Sequence, residues 1–383
     1  MAAIATAENI QHILKEKLKK AEDYILEKNP FMGYINKRTD GGGKYDRRPF
    51  DDASIAGAGF GNFGDIQASK NDMQGAEWRI TWKKAYGVFS IDHFAMALCE
   101  GDENGFYDLV DSRYKNAMKR LRMIYGAALW GNGGGAIARV ATNNTTSIEL
   151  EQLSQMWLFE RGVYIQPATT DGTSGSVIAD IQQIEEVNRG GLEITPVNTF
   201  DADWNAGNYV FLRGGFGASI SGVPAWAPLT PPSSAAFFNV DRSVDDRRYG
   251  VIVDPAESDA SNLEEFLIDM AATHGMYGAE PDSVWINPMD AAVLKKILGA
   301  RKRYGSMVAT RADGNEARNG NGAVISFKTL LLDSDMGELN VMTDRHIPRG
   351  FCAMMEKDAF TLSSVGPLCA PLTIKKGDDW VPH

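Results

Sequence analysis

The stretch from Glu103 to Leu129, ENGFYDLVDSRYKNAMKRLRMIYGAAL, holds the longest uninterrupted helical period in the chain. Phe106, Val110, Tyr114, Ala117, Leu121, Ile124 and Ala128 recur at steps of three and four, which gathers them on one stripe of a helix. Asp102 and Glu103 stand where a helix N-terminus favours acids, and Gly131 to Gly135 end the run. Twenty-seven residues at helical rise make a rod of about 40 Å, longer than most domains need internally. The opposite face carries Arg113, Lys115, Lys119, Arg120 and Arg122. Such a face is either solvated or turned toward a polyanion or a subunit boundary.

Residues 8 to 28 form a shorter amphipathic pattern with Ile10, Ile13, Leu14, Leu18, Ala21, Ile25 and Leu26 on its apolar side, broken by Asn29-Pro30. From about Thr39 to Met73 the chain becomes glycine-rich with isolated aromatics, too poor in apolar residues for a core of its own. It returns through EWRITWKKAYGVFSI, where Trp78, Ile80 and Trp82 alternate with polar residues and Ala85 to Gly87 permit a turn. The pattern predicts a β-hairpin stalk whose tip is the glycine-rich loop. Trp78 and Trp82 on one strand face need a cover, supplied by their own chain or by another.

Residues 148 to 215 predict a run of short strands at Val163 to Gln166, Ser176 to Val187, Leu192 to Val197 and Tyr209 to Arg213, suiting a small twisted β subdomain or barrel. A proline-rich irregular connection follows from Gly222. Then come a helix at Asn262 to His274, a buried strand at Val284 to Ile286 and a helix starting at Pro288. Arg301 to Gly322 is a locally basic loop, and the last part alternates short strands and turns. The class is α+β.

At 383 residues with 44% hydrophobic content, the chain has material for two or three domains. No stretch has the apolar length to cross a bilayer or the form of a signal peptide, so residence in a cytoplasm is expected. Cys99, Cys352 and Cys369 predict free thiols rather than a disulfide framework. A net charge of −11 argues against a generally basic surface gripping phosphates, so any nucleic-acid contact must be local. Gly131, Gly133 and Gly135 follow a helix and precede a strand, the reverse of a dinucleotide-binding turn. The scattered histidines lack metal-site spacing, and the trio Asp344, Arg345 and His346 reads as a surface turn without a nucleophile. The acidic pairs Asp51-Asp52 and Asp245-Asp246 are sequence neighbours whose side chains diverge. We therefore expect no catalytic residue, no cofactor and no metal.

The order of these parts resembles the major capsid protein of tailed bacteriophages, the Hong Kong 97 fold. WKKAYGVFSID resembles the returning limb of its extended loop, and ENGFYDLVDSRYKNAMKRLRMIYGAALWGNGGG its spine helix with a glycine stop. GFGASISGVPAW, AEPDSVWINPMDAAVLKKIL and DRHIPRGFCAMMEKDAFTLSSVG resemble segments of its second half. The resemblance implies an N-terminal arm (1–38), an extended loop (39–92), a spine helix with peripheral domain (93–147), a β-rich insertion (148–215), an axial domain (216–340) and a return to the periphery (341–383).

The implied role is structural: pentamers and hexamers closing an icosahedral shell around double-stranded DNA, in a virion assembled in the host cytoplasm. Trp78, Trp82, Arg301, Arg303 and Arg311 are then subunit-interface residues, and Lys115, Lys119 and Arg122 face DNA through sequence-independent contact. Partners would be further copies of the chain, portal and decoration proteins, and a separate scaffolding protein, because Met1 opens directly on the arm. Lys44 and Lys70 lie in the loop where relatives are said to crosslink lysine to asparagine, but no local motif assigns such a pair. The competing readings are an encapsulin-like compartment shell, a β-rich hydrolase using Asp344 and His346, and a tail or carbohydrate-binding component.

Overall fold

The computed structural model describes residues 29–53, 60–68, 74–88, 103–255, 262–301, 330–334 and 337–366. The amphipathic segment 8–28 lies outside them. The architecture mixes helix and sheet, in the α+β class. It comprises two compact units, Met1–Ile252 with Phe360–His383, and Val253–Ala359.

In the first unit, Asn29-Pro30 starts a helix: α1 (Pro30–Tyr34) has proline in its first turn, where no amide hydrogen is needed. Strand β1 (Asn36–Arg38) follows, and then the hairpin of β2 (Tyr45–Ala53) and β3 (Gln74–Thr81), with α2 (Phe63–Ala68) between them. The hairpin expectation holds. Its outgoing strand, however, lies inside the stretch read as glycine-rich loop, and its returning strand ends at Thr81, well short of Ile91.

Helix α3 (Glu103–Leu129) has the boundaries that its period predicts. Its buried side differs from the predicted stripe. Met118, Arg122, Met123 and Leu129 are buried, whereas Tyr114, Ala117, Leu121 and Ile124 are half-covered. α1 lies against this end of the helix: Phe31 meets Trp130 at 4.6 Å between ring centres, and the Asn29 side-chain amide donates to the Arg122 carbonyl at 3.0 Å.

Strands β4 (Ala138–Asn143), β5 (Ile148–Leu150), β6 (Tyr164–Ala168), β7 (Gln182–Asn188), β8 (Glu193–Pro196) and β9 (Tyr209–Leu212) close an antiparallel barrel in the order β4-β5-β8-β7-β6-β9. The β subdomain expected over 148–215 is thus present but begins ten residues earlier, with β4. Val140, Ile148, Ile165, Ile184, Ile194 and Val210 fill the barrel as inward members of alternating strands. Phe200 and Trp204, 4.7 Å apart, plug it, and the Trp204 indole donates to Asp180.

The proline-rich connection is more ordered than its composition suggests. It forms α4 (Val223–Trp226) and a two-residue hairpin, β10 (Ala236–Phe237) with β11 (Val240–Asp241), turned by Phe238 and Asn239 at φ 46° and 76°.

The second unit contains α5 (Leu263–Met276), β12 (Ser283–Ile286), α6 (Pro288–Arg301), β13 (Leu330–Ser334), β14 (Gly337–Thr343) and β15 (Cys352–Met355). Asn262 caps α5, its side chain accepting from Glu264 N at 3.1 Å and Glu265 N at 3.2 Å. The sheet order is β13-β14-β12-β15, with β12 and β14 parallel. Leu267, Met270, Val284, Ile286, Leu294 and Leu339 form its core. Because β14 and β15 both pair with β12, the unit runs to Ala359. Beyond it β16 (Thr361–Ser363) pairs in parallel with β1 in the first unit.

Trp204→Ala should cost about 3–5 kcal/mol, the usual range for emptying a large aromatic from a core. Denaturant unfolding followed by tryptophan fluorescence checks this, and a loss below about 1 kcal/mol would deny Trp204 its role as plug.

Candidate functional site

The hairpin has two unlike faces, as strand alternation requires. Asp46, Arg48, Phe50 and Asp52 on β2 share a side with Ile80, Trp78 and Ala76 on β3, and this side is half-covered. Arg47, Pro49 and Asp51 point the other way and are exposed.

An aromatic cluster covers the first face. Trp78 stacks on Phe50 at 5.4 Å and meets Trp226 edge-on at 5.3 Å and Phe237 at 6.2 Å. Trp226 continues to Phe237 at 5.1 Å and Phe238 at 5.7 Å. The Arg242 guanidinium lies 3.9 Å from the Phe237 ring centre and donates to the Ala225 carbonyl at 2.7 Å, and burial lowers its pKa. Along the strands, Arg79 N donates to Phe238 O at 3.0 Å, Arg48 donates to Ser363 Oγ at 3.0 Å, and Arg248 pairs with Asp52. Beside that pair, the Arg247 side chain and amide hold the Asp245 carboxyl well below the usual carboxylate range.

Trp78 therefore has a cover within its own chain. Trp82, half-buried, donates its indole hydrogen to the Gly43 carbonyl at 3.1 Å. Trp226 and Phe237 carry no signal as covers of Trp78 because they sit in a proline-rich segment, and the hairpin that positions Phe237 turns on a phenylalanine at positive φ. What the hairpin leaves uncovered is its far end. Phe60 is fully exposed, Phe63 largely so, and α2 buries none of its residues. These are the isolated aromatics of the glycine-rich stretch.

The other predicted residues divide as follows. Lys115 and Lys119 are exposed on α3, Lys115 bonded to Asp111 at 2.6 Å. Arg122 is a correction: at 9% exposure it is buried and does not join a surface turned toward a polyanion. Arg120 also leaves that surface, donating to the Leu158 carbonyl, and burial lowers its pKa. Arg301 ends α6; its side chain, together with Arg303, Arg311 and Lys70, lies outside the described residues. Lys44 is exposed, with Nζ 5.1 Å from the Tyr45 ring centre.

The Asp344-Arg345-His346 trio is a turn, as expected, but not a surface one. Asp344 and His346 side chains are 2% and 1% exposed, joined by His346 Nδ1 and Asp344 Oδ1 at 2.5 Å. The neighbouring Ile347, fully buried and held by Asn287 Nδ2 to its carbonyl at 2.7 Å, draws the turn under the surface. Among the described residues no group of three or more His, Cys, Asp or Glu side chains could hold a metal ion. No described helix is long and apolar enough to cross a membrane. No family model, curated protein or solved structure matches the chain.

Trp78→Ala should loosen the hairpin, costing about 2–3 kcal/mol of its aromatic packing. Limited proteolysis should then cut within residues 45–81 before the rest of the chain, and an unchanged cleavage pattern would contradict the anchoring role. In the second unit, burial first and Asp290 second push the Cys352 thiol up to about 12. A raised thiol pKa keeps the neutral form below that value, so Cys352 in the folded protein should resist iodoacetamide at pH 8 and react once unfolded. Rapid alkylation of the native protein at Cys352 would refute this.

Proposed function

We propose that this chain is a structural shell protein of the Hong Kong 97 type, the coat subunit of a tailed bacteriophage, building pentamers and hexamers that close around double-stranded DNA. One observation carries the reading: an anchored hairpin presents a short helix that buries none of its own residues, with Phe63 on it and Phe60 just ahead of it both exposed. An isolated chain gains nothing from ordering apolar side chains in water. Identical copies gain a contact each, and a closed lattice multiplies modest contacts through symmetry and avidity.

The long α3 and the separately folded unit Val253–Ala359 support the same reading. Under it the chain needs no cofactor and performs no chemistry. The exposed Arg113, Lys115 and Lys119 offer packaged DNA a weak, salt-sensitive attraction without Arg122. Scaffolding, portal and decoration proteins are the further partners this role calls for, and the virion is its place.

Electron microscopy and sedimentation of the purified full-length protein test the proposal. Closed particles, or stable pentamers and hexamers, are expected; a monomer at every concentration and salt would end it. The double variant Phe60→Ser/Phe63→Ser should keep the wild-type thermal midpoint while weakening each subunit contact by about 3 kcal/mol, roughly a hundredfold. Assembly of this variant at the wild-type concentration threshold would remove the tip from the interface.

A further inference from the structure

One outward sector of the barrel combines an exposed ring with charges of both signs. Ile165 and Ile184 point into the barrel, so strand alternation sends Tyr164 on β6 and Gln183 and Glu185 on β7 to its outside. Tyr164 and Gln183 are register partners, and the Gln183 side-chain amide donates to the Gly162 carbonyl at 3.3 Å. The Arg213 guanidinium lies 5.8 Å from the centre of the Tyr164 ring, yet Tyr164 remains 44% exposed. The ring is positioned by its neighbours and still open to water.

Beside it is a depression of about 550 Å³ lined by Glu160, Arg161, Glu185, Glu186, Val187 and Arg189. Glu160 and Arg161 shortly precede Tyr164 in sequence, and Glu185 stands two residues beyond Gln183, about 7 Å along β7, so the ring borders the depression. The register of β7 against β8 shifts between Ile184 and Glu186, and this bulge exposes two consecutive glutamates where regular alternation would expose one. All five charged residues of the lining are exposed. Among the described residues no salt bridge joins any of them to another group, and Arg189 makes one hydrogen bond, donating to the Phe159 carbonyl at 2.9 Å.

Opposite charges that line one hollow without closing on each other narrow the choice of ligand. An anion would meet three carboxylates there, and the stretch from Ala138 to Leu212, with ten acidic residues, three arginines and no lysine or histidine, repels polyanions at longer range. A simple cation would meet two guanidiniums. A neutral polyol meets neither penalty, because carboxylates accept from its hydroxyls and a guanidinium fork donates to two neighbouring ones. The apolar face of a sugar ring also matches an aromatic face. We propose that this sector of the barrel binds a neutral oligosaccharide, one sugar ring stacked on Tyr164 and the next hydrogen-bonded in the depression by Arg161, Glu185 and Glu186. The volume suits a ligand of roughly two sugar units. Every group belongs to one copy, so the proposal stands apart from the shell reading. A closed shell would repeat the site on each subunit, and avidity would then strengthen weak single-site binding.

Binding of neutral hexasaccharides of glucose, mannose, galactose and N-acetylglucosamine to the full-length protein tests this, followed by saturation-transfer NMR and titration, with a hexasaccharide of a uronic acid as the charged control. At least one neutral probe should bind with a Kd below about 1 mM, and the uronic acid at least about tenfold more weakly. Tyr164→Ala and Glu185→Gln/Glu186→Gln should each weaken binding by about tenfold or more, whereas Tyr164→Phe, which keeps the ring, should stay within about threefold of wild type. Circular dichroism with thermal melts verifies folding. Should Tyr164→Ala fail to fold, the glutamine pair, at exposed positions, decides alone. No binding across the neutral panel overturns the proposal, as does uronic acid binding as tight as the best neutral probe, or affinity that either folded variant leaves unchanged. Sizing of the same samples reads assembly separately, so failure here is distinct from failure of the shell reading.

Discussion

Backbone packs directly on backbone where the long helix ends, and the arrangement of the first unit depends on it. A Cβ at Gly134 would lie 2.0 Å from the Asp171 carbonyl oxygen, and one at Gly222 would lie 2.1 Å from that of Leu129. Hydrogen bonds close the same junction, Gly217 N to Gly134 O at 2.8 Å and Gly222 N to Gly131 O at 3.0 Å. A side chain at either glycine would push the barrel, the helix end and the segment leading to Trp226 apart. Trp226 in turn covers Trp78, so the seating of the hairpin is set in part by glycines far from it in sequence.

The hairpin resolves two competing demands. Its inner face is dried by Trp226 and Phe237 and held by Arg48 and Arg248, which fixes its direction. Its outer face and its tip remain in water, with charged side chains of both signs on the one and phenylalanines on the other. A strand pair that were free on both sides would lose more entropy on meeting a partner than one already ordered. Anchoring one face therefore prepares the other for contact, the property that a subunit repeated many times in a lattice requires.

How much of this was legible depends on the range of the forces involved. The limits of α3 could be read from the chain because helix periodicity and its glycine stop are local. The barrel was legible as short alternating strands, but β4 was missed because its pairing with β5 and β9 is a matter of closure. Arg122 looked like a member of a basic face, and only its burial in the folded chain shows that this part of α3 is covered. The Asp344-His346 turn looked superficial for the same kind of reason: Ile347, not the polar trio, decides its depth.

By itself the sequence determined which segments are rod, strand and turn, and that the chain carries an acidic charge, because these follow from residue types and spacings a few positions long. Only the tertiary structure decided which faces are dry. It turned Trp78 inward, left Phe60 and Phe63 outside, buried Arg122 and exposed Glu185 beside Glu186 at a bulge. The physical reason is that burial belongs to pairs of surfaces, and a surface finds its cover only when distant parts of the chain have met.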